Sequence, residues 1–205
     1  MSEVPDSVAV IDQIPQQGEP LTPRTPLHHT ARAGGAGQLH YREHDLTGLL
    51  VLRGNAADKA FAEAVKATFG CPLAKTLSFV MAQEVSLLWL SPDEWWVLCP
   101  PDQAYALEVQ LRERYSGHFA LANNTGGMTR IQLSGPQAVQ VLKKSIPYDV
   151  HDAHFPVGKV VATVFGKTQA VVRRLGQNDW EILARRSFAD YIWRWVEDAA
   201  SEYQR

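Results

Sequence analysis

The densest set of metal-ligating and acid-base side chains in this chain is D-V-H-D-A-H at 149–154. Asp149, His151, Asp152 and His154 could converge on a divalent ion, but no cluster of soft ligands accompanies them. Hydrogen-bonded or solvated loop side chains are therefore expected. His28-His29 and His40/His44 are the other histidine pairs. His40 and His44 would share a face only on a helix, and none is expected there. Cys71 and Cys99 form no C-x-x-C, and Cys99, inside W-W-V-L-C, reads as a buried small hydrophobe. Gly34-Gly35-Ala36-Gly37 lacks the preceding strand and the following Lys-Ser or Lys-Thr of a phosphate cradle, so a flexible link is expected. No G-x-S-x-G nucleophile elbow is present. Arg173-Arg174 and Arg185-Arg186 could meet phosphates, but the balanced charge favours solvated strand ends or a protein contact. The sequence thus predicts no catalytic, cofactor-binding or metal-binding residue.

The elements that would position these groups fall into a repeat. Leu90–Glu113 aligns without a gap on Leu175–Asp198. Leu90 falls on Leu175, Trp95 on Trp180, Val97 on Ile182, Leu98 on Leu183 and Ala104 on Ala189. L-V-L-R-G-N-A-A-D at 50–58 matches I-Q-L-S-G-P-Q-A-V at 131–139. Alternating apolar runs predict strands at 46–52, 77–81, 85–90 and 95–99, then 129–133, 160–165, 168–174 and 180–184. Helical periodicity predicts helices after Gly54-Asn55, after Pro100-Pro101-Asp102 and after Ser134-Gly135-Pro136. A last helix should open on a capping box at Ser187-x-x-Asp190, with a buried stripe of Phe188, Tyr191, Ile192, Trp195, Val196 and Ala199. Each half reads β-α-β-β-β-α. The fold class is α+β, with mainly antiparallel sheets and helices packed on one side. Residues 1–38 read as a Pro/Gly-rich tail, 39–118 as the first half and 119–205 as the second, in one two-lobed unit. Within the tail, Thr25–Thr30 is expected to order against a partner.

A net charge of −2 argues against a nucleic-acid surface. No apolar run reaches the roughly 20 residues of a membrane span. No signal peptide is read at the N-terminus. A cytoplasmic protein is expected. Among six tryptophans, Trp95 and Trp180 hold equivalent repeat positions and should fill the two half-cores. Trp96 and Trp193 face Glu181 and Glu108 in the repeat, so both are candidate partner-interface residues, tryptophan being enriched at interface centres.

These residues resemble a family. T-G-G-M-T-R-I-Q-L-S-G-P-Q-A-V-Q-V-L at 125–142 is similar to a segment of the gamma subunit of heterotetrameric sarcosine oxidase. So are W-L-S-P-D-E-W-W-V-L at 89–98, D-V-H-D-A-H-F-P-V-G at 149–158, R-R-S-F-A-D-Y-I-W-R-W at 185–195 and the short Thr25-Pro26-Leu27. A broader likeness reaches the folate-binding aminomethyltransferase of the glycine cleavage system, whose duplicated fold is thereby expected. Where those relatives read D-x-S, this chain has Asn123-Asn124-Thr125, and the carboxylate that a pterin's donor edge needs is missing. The resemblance implies a non-catalytic subunit of a complex that oxidatively demethylates sarcosine to glycine, the one-carbon unit passing to tetrahydrofolate. FAD, FMN, NAD, zinc and tetrahydrofolate would sit on other subunits, and the partner would be the large alpha subunit, alongside beta and delta. The alternative is a stand-alone folate-dependent aminomethyltransferase-like protein.

Overall fold

A computed structural model describes residues 23–203; the expected tail prolines Pro5, Pro15 and Pro20 lie outside them. In chain order the elements are β1 (Ala33–Ala36), β2 (Leu39–Glu43), β3 (Gly48–Gly54), α1 (Lys59–Phe69), β4 (Phe79–Ala82), β5 (Val85–Ser91), β6 (Glu94–Cys99), α2 (Ala104–Arg114) and β7 (Phe119–Asn123). The chain continues with β8 (Met128–Ser134), α3 (Ala138–Ser145), β9 (Val160–Phe165), β10 (Thr168–Gly176), β11 (Asp179–Arg185) and α4 (Ala189–Ala200).

Two antiparallel sheets result. One runs β1-β2-β8-β11-β10-β9, the other β4-β5-β6-β3-β7. Each strand has a two-residue side-chain period, and both of its faces find a use. Ile131, Leu133, Trp180, Ile182 and Val172 face α3 and α4 in one core. Leu50, Leu52, Leu87, Trp95 and Val97 face α1 and α2 in a second. The alternate residues Leu49, Leu88, Leu98, Val160, Val171 and Leu183 form a third core between the sheets. The molecule is therefore layered helix, sheet, sheet, helix.

The duplication holds at the level of register. Trp95 lies opposite Leu52 and Trp89, as Trp180 lies opposite Leu133 and Arg174. The same irregularity recurs in both halves, between Trp89 and Ser91 and between Arg174 and Gly176. A bulge kept at equivalent positions belongs to the fold. Helix α1 shows how local sequence ends an element. The Asp58 carboxylate accepts from the Ala60 and Phe61 amides at its start, and Gly70, in the left-handed region (φ 74°), closes it.

Several expectations are corrected. Gly34-Gly35-Ala36-Gly37 is no flexible link, because Gly34–Ala36 lie in β1, which forms a hairpin with β2. Gly34 lets Tyr41 lie against that backbone, since a Cβ there would sit 2.5 Å from the Tyr41 ring. Thr25 and Leu27 order against this chain itself: Leu27 is buried in the first core, and its amide donates to Glu43 Oε1 (3.4 Å). The capping box is absent. A 3₁₀ turn, Arg186–Phe188, precedes α4, no side chain caps it, and the Asp190 carboxylate instead meets His29 Nε2 at 2.9 Å. The sheets also divide the chain differently from the repeat. β2 pairs with β8 of the second half, and β7 pairs with β3 of the first.

Candidate functional site

The contact between the sheets has an apolar middle and two different ends. At one end Glu181, fully buried, binds Arg173 Nε (2.6 Å) and Arg130 Nη2 (2.6 Å). The Arg173 guanidinium lies 5.1 Å from the Phe79 ring of the other sheet. His44 Nε2 stands 3.5 Å from Glu181 Oε1. Burial pushes the Glu181 carboxyl up, but the Arg173 and Arg130 guanidiniums more than offset it and hold the group below its usual range. His44 is pulled below its ordinary value, first by burial and then by the Arg130 charge. With its three charged groups locked in mutual pairing, this end is a structural clasp.

The other end opens into a groove of about 790 Å³. Its walls are Leu90 and Trp96 from one sheet, Met128 and Ala162–Val164 from the other, the loop carrying Asn124 and Gly127, and Arg185–Ser187. The loop is built from the N-N-T-G-G sequence. Asn123 Oδ1 accepts from the Thr125 amide (3.0 Å), and the Gly127 carbonyl accepts from the Arg186 amide (3.0 Å). A Cβ on Gly127 would fall 2.3 Å from Asn124 Oδ1, so glycine there lets the Asn124 side chain lie against the backbone. Asn123 thus makes the local turn that an aspartate would also make, but brings no charge.

Trp96 is half-buried at this groove, its indole N–H directed to Glu94 Oε1 (3.3 Å). Register explains its setting. Trp96 lies opposite Leu88 and Val51 in the way that Glu181 lies opposite Arg173 and Gln132. The charged clasp of one half is replaced by apolar packing in the other. Glutamate at the equivalent position is no sign of exposure, because Glu181 is among the most buried groups of the chain.

Trp193 is corrected more strongly. It is 4 % exposed and packs in the first core with its ring 5.2 Å from Tyr41, while its indole N–H reaches Glu197 (2.9 Å). Trp195, expected in the core, is half-buried and donates to Ser145 Oγ (3.1 Å). The reason is the hairpin and Leu27. They cover a second flank of α4, which shifts its buried stripe to Ile192, Trp193, Val196, Ala199 and Ala200.

The remaining candidates are dispersed. Asp152 pairs with Arg174 (2.7 Å), His151 Nδ1 accepts from the Ala153 amide, and His154 lies 3.7 Å from Asp149. Among the described residues, no group of three or more His, Cys, Asp or Glu is placed to hold a metal ion. Arg173 and Arg174, expected at solvated strand ends, are buried. Arg174 stacks 4.8 Å from Trp180 and donates to the carbonyls of Phe155, Gly176 and Gln177. Cys99 is buried, and burial, with Asp102 nearby, raises its thiol to about 11. Among the described residues, no helix is long and apolar enough to cross a membrane.

Two packed antiparallel sheets with helices on their outer faces form a duplicated α+β fold of the aminomethyltransferase type. The fold matches that of the glycine cleavage system aminomethyltransferase T from Bartonella henselae (TM-score 0.59, 14% identity), covering 80% of this chain and 46% of that one. No carboxylate stands among the lining residues of the groove to accept from a pterin's donor edge; the side-chain acceptors there are the neutral oxygens of Asn124, Thr163, Gln169 and Ser187. The chain belongs to the sarcosine oxidase, gamma subunit family, whose model matches residues 53–202. It is 31% identical over 189 residues to the sarcosine oxidase subunit gamma of Corynebacterium sp. (strain P-1), covering 88% of this chain and 91% of the relative. The Arthrobacter sp. subunit gamma is 29% identical over 190 residues, with the same coverage. A chain of the heterotetrameric sarcosine oxidase from Corynebacterium sp. U-96, solved in complex with pyrrole 2-carboxylate, superposes with a TM-score of 0.80 at 27% identity, over 89% of this chain and 97% of that one. The function is that of a gamma subunit of heterotetrameric sarcosine oxidase.

Proposed function

We propose that this chain is a non-catalytic subunit that packs against the large subunit of a sarcosine oxidase and stabilises the assembly. The complex would demethylate sarcosine oxidatively and pass the one-carbon unit to tetrahydrofolate. FAD, FMN, NAD, zinc and tetrahydrofolate would reside on the alpha, beta and delta subunits, in a cytoplasmic enzyme. The observation that carries this reading is the near full-length superposition on a chain of a heterotetramer, in a molecule whose buried charges pair with one another. Trp96, half-buried at the groove, remains the interface candidate, whereas Trp193 serves the fold.

The test is purification of the tagged chain from its native host, with partners identified by mass. Flavin-coloured, sarcosine-oxidising material containing three further subunits is expected. The chain expressed alone should be colourless and inactive. Stoichiometric flavin in the single chain, or sarcosine turnover by it, would overturn the reading.

A further inference from the structure

The groove has a chemical bias that suggests an occupant. Its inner walls are apolar, with Trp96, Met128 and Val164 facing the opening, and Val164 is 41 % exposed. No carboxylate lines it, while Arg185 and Arg186 stand at one rim, both exposed. Arg186 is partly committed, donating from Nη1 to the Gly126 carbonyl (3.2 Å). Arg185 makes no ion pair among the described residues. An exposed guanidinium beside an apolar wall can take a planar anion, and bidentate pairing with a carboxylate is one of its strongest contacts. The opposite end of the same sheet contact shows the pairing completed within this chain, where Arg130 and Arg173 clasp Glu181. At the groove end no internal acid takes that part.

We propose that the groove receives a segment of another subunit of the sarcosine oxidase complex in which an aspartate or glutamate stands next to an apolar side chain. The apolar side chain packs on Trp96 and Val164, and the carboxylate pairs with Arg185. This rests on the subunit assignment above and extends it to one surface and one class of contact. Trp96 supplies the anchor expected at the desolvated centre of such an interface, and Arg185 supplies orientation at its rim.

The complete complex tests this. A benzophenone amino acid in place of Val164, irradiated in the assembled enzyme, should cross-link to one peptide of another subunit that contains Asp or Glu beside an apolar residue. Arg185→Glu should weaken recovery of the complex about ten-fold or more, because the reversed charge would face the partner's carboxylate, and added salt should restore part of that recovery by screening the repulsion. The melt of the isolated variant should match that of the unaltered chain. Tyr105→Glu, on the exposed outer side of α2, should leave assembly unchanged. An intact complex whose cross-links fall on a peptide without acid, or on this chain's own residues 1–22, would overturn the proposal. That segment carries Glu3, Asp6, Asp12 and Glu19 and no Lys or Arg. Absence of any cross-link in intact complex, or full assembly of Arg185→Glu, would also overturn it. Failure of the unaltered chain to co-purify with any subunit would instead overturn the subunit assignment itself.

Discussion

Trp193 and Trp96 differ by what lies across from each. Trp193 packs edge-on against Tyr41 of β2 and is enclosed with Leu27 in the same core, so truncating it opens a cavity. Trp193→Ala should destabilise the isolated chain by about 3–5 kcal/mol, as large aromatic truncations in cores do. Trp96→Ala should cost the isolated chain about 1 kcal/mol, the typical single-substitution effect, and weaken assembly by about 2 kcal/mol or more. Denaturant melts set beside pull-down with the large subunit check both; equal melts for the two variants would put Trp96 in the core as well. Glu181 is the second residue to test. Glu181→Ala strands two guanidiniums between the sheets and should cost about 3–5 kcal/mol, the scale for breaking a buried pair. Its carboxyl titrates lower in the folded chain than in the unfolded one, and so does His44. A group with a depressed folded pKa contributes stability above its unfolded value and loses it as pH falls. Stability should therefore decline first below about pH 6.5, where unfolded histidine begins to bind protons, and again in the carboxylate range. His44→Gln should flatten the first decline in melts taken between pH 7.5 and 5; an unchanged profile would remove His44 from the clasp.

The N-terminal hairpin is the element that decides most of the second half. It extends one sheet beside β8, covers a flank of α4 and closes the core around Leu27. Gly135 is where the rest of the chain receives it. With φ at +106°, a Cβ on Gly135 would lie 2.2 Å from the Gln38 carbonyl oxygen, while the Gly135 amide donates to Asn178 (2.9 Å). The S-G-P segment thus serves close backbone approach as well as the start of α3. Gly135→Ala should destabilise the chain by about 2 kcal/mol or more, combining strain at positive φ with a backbone clash. Gly37→Ala, in a hairpin turn with open space around it, should cost less. Thermal melts of the pair separate the two effects. Loops of this kind were visible in the sequence only as glycines. What Gly135 accommodates is a hairpin turn nearly a hundred residues away, and local propensity carries no such information.

On the scale of the whole molecule, the two halves exchange strands. β2 belongs in sequence to the first half and pairs in the second, and β7 does the reverse. Of the fragments cut between residues 118 and 119, the first lacks the edge strand β7 and the second lacks the β1-β2 hairpin, and each exposes the apolar face that forms the core between the sheets. Neither should fold alone, and the two co-expressed should reassemble, as circular dichroism and gel filtration would show. An independently folded 119–205 fragment would contradict this. Much of this architecture was legible in the residues. The α+β class, the order of most strands and helices, the duplication and the burial of Trp95 and Trp180 follow from side-chain period and from turn residues, which are local properties of the chain. The placement of Glu181, Arg173, Arg174 and Trp193 was not. A buried glutamate reads like an exposed one until its arginines arrive from other strands, and a tryptophan off the main stripe reads as exposed until a hairpin covers it. Burial of such groups is set by long-range partners, so only the tertiary structure decides which charges form the clasp, which tryptophan holds the core and which end of the sheet contact is left open.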